Sequence, residues 1–253
     1  MRPYLLAECN WKDMKNRSIE LAILPWGAIE AHNYHLPYSS DVIESDYIAA
    51  ASAEKAYNRG ANILVLPTVP YGVNTGQTDV MFDLNINPST QTAIINDILQ
   101  VLNRQKIYKF LILNSHGGND FKQILRELGL KFPNMFLSFC NWYSSINKAE
   151  YFDHIGDHAD EMETSLLLYL APNLVLPLIE AGPGVEKKIK IKGIQEGWAW
   201  AERKWSEATE DTGIGNPMCA TKEKGKRYFN AVTDKVSQLF IDIANANLED
   251  LYE

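Results

Sequence analysis

The chain is short of cysteine, histidine and basic charge, and it has no long apolar run. Its three cysteines, Cys9, Cys140 and Cys219, lie far apart with no C-x-x-C pair. That argues against a disulfide framework and against a thiolate zinc knot. No 18 consecutive apolar residues occur, so no membrane-spanning helix is expected. The apolar run near the N-terminus, Tyr4-Leu5-Leu6-Ala7, is too short for a secretory signal. Lys and Arg number 24 against 32 Asp and Glu, a net charge of −8. A polyanionic partner needs a basic face, and nothing here supplies one. These absences together lead to the expectation of a cytoplasmic protein without nucleic-acid or membrane partners.

What is present is enough for a core: 253 residues, 46% of them hydrophobic, within the range of one large domain. Leu21–Pro25, Ile63–Pro67, Phe110–Leu113 and Met135–Phe139 read as buried parallel strands. Amphipathic helices alternate with them over Glu44–Tyr57, Thr90–Asn103, Asp120–Leu128, Glu161–Leu170 and Lys226–Asn247. Strand–helix alternation predicts an α/β fold with a mainly parallel β-sheet flanked by helices, a single domain over residues 1–253. The stretch from Gly182 to Gly215 differs. Lys187–Lys192 alternates polar and apolar residues like a half-exposed strand, and Trp198, Trp200 and Trp205 follow closely. It reads as an excursion used for oligomer contacts or to roof a site.

Ligands of open parallel sheets bind beyond the carboxyl ends of the strands. After the first strand comes Trp26-Gly27-Ala28-Ile29-Glu30-Ala31-His32-Asn33-Tyr34-His35, leading to Asp41. On an extended backbone Glu30 and His32 face the same side, and Asp41 can return to the same point. Taken singly, each is an ordinary polar loop residue. After the third strand comes Asn114-Ser115-His116-Gly117-Gly118-Asn119. Gly117 and Gly118 let backbone approach a substrate closely, and Asn119 looks like an N-cap. A plain strand-to-helix turn or an anion-binding nest would look similar. The third segment, Asp157–Ser165, crowds acidic residues at a helix start, where the macrodipole favours them. That explains Asp160 and Glu161 but not His158. All five histidines, His32, His35, His116, His154 and His158, lie in or beside these segments. Random surface histidines would scatter more widely. Imidazole and carboxylate without thiolate suit Zn²⁺, Mn²⁺ or Fe²⁺. A carboxylate bridging two cations about 3.5–4 Å apart would activate a water and polarise a carbonyl.

In these segments the sequence resembles the creatininase family (creatinine amidohydrolase and relatives). The family pattern is roughly G-S-x-E-Q-H-G-x-H-L-P, then T-D, N-G-H-G-G-N and H-A-G-E-x-E-T-S. Here the corresponding runs are Gly27–Pro37, Ser40-Asp41, Asn114–Asn119 and His158–Ser165. Thr212–Pro217 through Lys224-Gly225 is similar to the family's usual tail. The resemblance implies a parallel sheet flanked by helices, a hexamer and two divalent metals, zinc foremost. Asp41 would bridge, Glu30 and His116 would hold one metal, and His32 the other. His158 resembles the family's catalytic histidine. The glutamate that creatininase carries two residues after the second-motif histidine falls here on Gly118, so a ligand must come from the third motif. At about 100° per residue, Glu161 stands about 60° from His158 and Glu163 about 140°. If His158 is already helical, that favours Glu161 as the ligand and leaves Glu163 beside His158 in the catalytic machinery.

Tyr71–Asp83 lacks the family's Glu-His pair, and Tyr151–Gly156 lacks its tryptophan. Recognition is therefore expected from Asn74, through its amide, from His154 and from an aromatic residue lining the pocket. Trp142 reads more naturally as core. The resemblance implies hydrolysis of a non-peptide C–N bond in a small cyclic amide or formamide, with His158 carrying the proton and creatinine itself a poor substrate. The alternatives are a peptidase of peptide-cofactor maturation, a keto-inositol hydrolase, or a non-catalytic metal-stabilised assembly protein.

Overall fold

The computed structural model describes residues 1–252. Strands β1 (Leu21–Trp26), β2 (Ile63–Val65), β3 (Lys109–Asn114) and β4 (Phe136–Asn141) form one sheet in the order β2-β1-β3-β4. All three pairings are parallel, with Ile23 opposite Val65 and Leu111, and Leu111 opposite Ser138. All four expected strands are present, with ends shifted by a residue or two. Pro25 sits inside the central strand β1, where a missing N–H usually breaks a ladder. Its carbonyl accepts from Val69, and β2 has already ended at Val65. The missing donor therefore faces the side where no strand remains to be paired.

Side chains alternate across the sheet, and both faces are covered. Leu21, Ile23, Leu111 and Leu113 pack with the helices Ser40–Asn58, Glu161–Leu170 and Lys222–Asn245. Ala22, Leu24, Trp26, Phe110 and Ile112 pack with the helices Pro88–Arg104 and Phe121–Lys131. Helix starts follow local chemistry. Pro88 opens one helix, where its missing N–H costs nothing. Asp160 caps another by accepting from Met162 N at 2.9 Å and Glu163 N at 3.1 Å. The cap of the helix Phe121–Lys131 is Asp120, not Asn119 as expected; the Asn119 side chain is turned inward to Gln91, Asn114 and Val73.

The expected strand over Lys187–Lys192 is absent. That segment is irregular and leads into the short helix Lys192–Gln195; its Lys187 N–H goes to the Ala208 carbonyl and not to a strand of the sheet. Among the described residues no single helix is long and apolar enough to cross a membrane.

The helices Glu161–Leu170 and Lys222–Asn245 approach closely at Gly225, where an added Cβ would meet the Ser165 carbonyl oxygen. The contact is with backbone and cannot relax by a rotamer change. Gly225→Ala is therefore expected to destabilise the fold by about 1–3 kcal/mol, overpacking outweighing alanine's better helix propensity. Urea denaturation measures it, and a gain in stability would refute the close approach.

Candidate metal centre

Two loops and two helix starts converge at the carboxyl end of the sheet. The β1 loop carries Glu30 and His32, the β3 loop carries His116, and the helix starts after Ser39 and Asp160 carry Asp41 and Glu163. Two left-handed turns aim them. Asn33 has φ 55°, which asparagine tolerates, and Ala159 has φ 49°, which costs more for a residue with a Cβ. The Ala159 N–H is held by the Glu163 carboxylate. The strained turn thus fixes His158 and Glu163 relative to one another.

His116 Nδ1 lies 2.9 Å from Glu30 Oε1 and 3.2 Å from Asp41 Oδ2. His32 Nε2 lies 3.3 Å from Asp41 Oδ1 and 4.0 Å from Glu30 Oε1. His158 Nδ1 is 3.7 Å from Glu30 Oε1. Three sets of ligand atoms gather within 4.8 Å: Glu30, Asp41 and His116; His32, Asp41 and Glu163; Glu30, His32 and His158. Each imidazole spends its outer nitrogen on a backbone carbonyl. His32 Nδ1 is 3.0 Å from Glu30 O, His116 Nε2 3.0 Å from Val73 O, and His158 Nε2 2.8 Å from Ala31 O. That pattern fixes ring orientation in metal sites and leaves the inner nitrogen for a cation. Gln77 Nε2 donates to Glu30 Oε2 at 2.5 Å.

These groups are buried, Glu163 the most exposed at 9%, and their charges conflict. Burial would lower His32 and His116, but carboxylates outweigh it. Asp41, with Glu163 and Glu30, raises His32 well above the ordinary value, and Glu30 and Asp41 do so for His116. Burial pushes Glu163 up to about 8. Burial would also raise Glu30, but the three imidazoles hold it well below the carboxylate range. Burial and the neighbouring His32 lower His158. His32 Nε2 and Asp41 Oδ2 are buried without a hydrogen bond. The donor set fits divalent cations: without one, protons take the inward-facing positions that a metal would fill.

Glu161 does not join the cluster. Its carboxylate accepts from Asp153 N at 3.0 Å and His154 N at 2.7 Å, and it pairs with Lys224 Nζ. The helix-phase argument fails because His158 precedes the left-handed Ala159 and the Asp160 cap, so it is not helical. Asn74 spends its amide N–H groups on the Ile29 and Leu84 carbonyls, at 3.2 and 3.1 Å, which corrects the expectation that they face a substrate. His154 is exposed, and its backbone serves Glu161. Gly117 is exposed. Gly118, where creatininase has glutamate, has no room for a side chain: a Cβ would meet Val73 O at 2.3 Å and His116 Nε2 at 2.5 Å. Trp142 is core, its Nε1 donating to Ser115 Oγ at 2.6 Å.

Some neighbours carried no separate sequence signal. Asp83 accepts from Ala31 N at 2.6 Å, and its carboxyl is pushed up to about 7 by burial. Glu44 is fully buried with neither oxygen hydrogen-bonded, and burial, then Glu163 and Asp41, raise it well above the usual range. Gln77 and Asp83 do lie in the Tyr71–Asp83 stretch read as recognition, but their partners are the Glu30 side chain and the Ala31 backbone.

An open parallel sheet with buried imidazoles and carboxylates at its carboxyl edge defines a metallohydrolase-type site. The creatininase profile, creatinine amidohydrolase, matches residues 7–240, and the chain belongs to that family of hydrolases. A solved Bacteroides fragilis protein provisionally named creatinine amidohydrolase is 40% identical, covers 100% of both chains and superposes with a TM-score of 0.92. Pseudomonas putida creatinine amidohydrolase is 27% identical over 67% of this chain and 73% of its own. The mycofactocin precursor peptide peptidase of Mycobacterium ulcerans is 23% identical over 84% of this chain and 81% of its own. A Zn-Zn creatininase mutant and a Mn creatininase share the fold at 19% identity, with TM-scores of 0.78 and 0.76 and 96% and 99% coverage in both cases.

Two outcomes follow from this geometry. Glu163→Gln is expected to weaken metal uptake, whereas Glu161→Gln should leave stoichiometry intact and lower the melting temperature. The reverse ranking in elemental analysis would return the ligand role to Glu161. Metal binding must also displace protons from His32, His116 and Glu163, whose values are raised in the metal-free chain. Affinity should therefore fall as pH drops from about 8 to 6, by about tenfold per unit for each proton displaced. Calorimetry in buffers of different ionisation enthalpy tests this, and pH-independent binding would contradict it.

Proposed function

We propose that this hydrolase binds two divalent cations, zinc before manganese or iron, and cleaves a non-peptide C–N bond in a small cyclic amide or formamide. The observation that carries the reading is Asp41. Its Oδ2 faces His116 and its Oδ1 faces His32, and it alone belongs to both the Glu30–His116 and the His32–Glu163 sets. Glu30 and His116 would hold one cation, His32 and Glu163 the other, with Asp41 between them. Bound there, the pair would polarise a carbonyl and lower the pKa of a water. Gln77 and the backbone carbonyls keep the ligands aimed. His158, its pKa lowered by burial, presents Nδ1 to the cluster and is suited to receive a proton and return it to the leaving nitrogen.

The family match and the closed surroundings of the ligands support a small substrate. Creatinine is not the substrate we favour, because the segments that differ from creatininase, Tyr71–Asp83 and Tyr151–Gly156, border the site. A peptide substrate is the second reading, favoured by the peptidase matching more of the chain than the P. putida enzyme. Asn74 Oδ1, buried without a partner, remains available for substrate recognition, as do the exposed backbones of Gly117 and Gly118. We also propose a homo-oligomer, a hexamer by family analogy. Exposed Trp198, Trp200 and Ile191 on the 182–215 excursion support it. The absence of a disulfide among the three cysteines fits a cytoplasmic protein.

The purified protein is expected to carry two metals per chain, and chelation should abolish turnover in a screen of creatinine, cyclic amides, formamides and short peptides. Asp41→Ala should lose both metals together. Retention of one at full occupancy would remove Asp41 from the bridging position, and turnover of peptides alone would favour the second reading.

A further inference from the structure

The candidate ligands are buried, Glu163 the most exposed at 9%, and what packs beside them governs access to them. The 182–215 excursion is packed beside them, against Asn33 and His158. Its two ends are pinned beside the site. Gly182 and Asn33 exchange two hydrogen bonds, of 2.8 and 3.1 Å, and Ile214 and His158 exchange two more, of 2.8 and 3.1 Å. Its middle is attached differently. Glu202–Ser206 meets residues 75–79 through two side-chain hydrogen bonds, Thr75 to Glu202 and Ser206 to Asp79 at 2.5 Å, all four residues being exposed at those contacts. The strap also rests on Gly76, where an added Cβ would lie 2.2 Å from the Arg203 carbonyl oxygen. An open cleft of about 420 Å³ runs between these two segments.

From this strap Trp205 reaches inward. Its ring stands edge-on to His158, centroids 4.8 Å apart, with the Arg203 guanidinium over the indole. Arg203 lies 4.9 Å above the indole and pairs with Asp157 at 3.0 Å and Glu186 at 3.2 Å. His158 is thus held between His32, 4.1 Å away, and Trp205. Exposed hydrogen bonds to the 75–79 segment are each worth little net, and local openings of this kind lie at the low end of a protein's stability range. The strap can therefore leave residues 75–79 while its pinned ends hold, once the partly exposed Arg203–Asp157 pair, itself worth little net, also parts.

We propose that Trp205 is a positioning residue carried on a gate: the strap Glu202–Ser206 releases from residues 75–79 to admit substrate, and on closing sets Trp205 against His158 and seals the metals. The proposal rests on the metal reading above, and its test separates the two. Gly76 is not in the left-handed region, so Gly76→Ala adds a wedge under the strap without backbone strain.

Two measurements are made on the full chain. In the first, zinc-loaded protein is challenged with EDTA and the rate of zinc loss is followed. Gly76→Ala and Trp205→Ala are expected to lose zinc at least about tenfold faster than the parent, an opening made easier by the local free energies typical of mobile segments. Trp205→Phe should restore a rate near the parent's. Leu125→Ala, in the core on the opposite face of the sheet, should lower the melting temperature without speeding zinc loss. In the second, hydrogen–deuterium exchange of the metal-free chain should rise in Gly76→Ala over Trp205–Thr209 and stay unchanged over Lys222–Asn245. Equal zinc-loss rates in Gly76→Ala and the parent, or equal acceleration by Leu125→Ala, would overturn the gate. A chain that takes up no zinc would defeat the metal reading, and exchange alone would then decide the gate.

Discussion

Burying three carboxylates around one point is expensive, and the rest of the site answers that cost. Glu30, Asp41 and Glu163 are all withdrawn from water; a buried charge costs several kcal/mol unless it is paired, and Glu163 in the metal-free chain keeps its proton up to about pH 8 instead. Two helix starts help, since Asp41 and Glu163 both lie in first turns, where the macrodipole favours anions. Imidazoles supply the rest in the metal-free chain by taking up protons, which is why His32 and His116 are raised although both are buried. A divalent cation answers the same charge better, because it meets several oxygens at once and frees the imidazoles from carrying protons. The outer nitrogens are already held by backbone carbonyls, so the rings are aimed before any cation arrives.

Much of the fold was legible because the sheet is buried on both faces and its strands are short apolar runs. Chain segments that meet no partner strand were less legible. Lys187–Lys192 alternates as a strand would, yet pairing needs an edge, and alternation says nothing about whether one is near. The convergence of Glu30, His32, Asp41 and His116 could be read from motif order and from where parallel sheets place their ligands. The distinction between Glu161 and Glu163 could not, because it hinges on the backbone of a single residue. Ala159 turns left-handed, which resets the phase between His158 and the helix, and no propensity rule marks alanine for such a turn. Trp205 was visible only as one of three close tryptophans, since nothing in sequence tells an indole on a roof from one on a surface.

Gly118 and Glu163 are two sides of one constraint. His116 must turn Nε2 to the Val73 carbonyl to present Nδ1 inward, and that packing leaves no space for a side chain at residue 118. A carboxylate from the β3 loop is excluded by the arrangement that aims the histidine beside it. The helix Glu161–Leu170 brings one from the opposite side, and the same carboxylate holds the strained N–H of Ala159. Glu161, one turn-face away, is drawn off by Lys224 and by the backbone before His158. Two glutamates two residues apart thus take separate tasks, one facing the cluster and the other tying down the loop that leads to it.

The division between chemistry and recognition follows the same geography. The candidate ligands sit at the ends of β1 and β3 and on two helix starts, all anchored in the double-faced core. The surroundings that shape access, residues 71–83 and the excursion 182–215, are loops joined to that core mostly through hydrogen bonds to backbone. Changing such loops costs little of the burial that stabilises the sheet, whereas changing a ligand leaves a buried charge uncompensated. Substitutions in such loops can therefore change what reaches the candidate ligands without disturbing the ligands themselves. The altered Tyr71–Asp83 segment illustrates this: its Gln77 still serves Glu30, while its Thr75, Gly76 and Asp79 face a strap that carries its own tryptophan to His158.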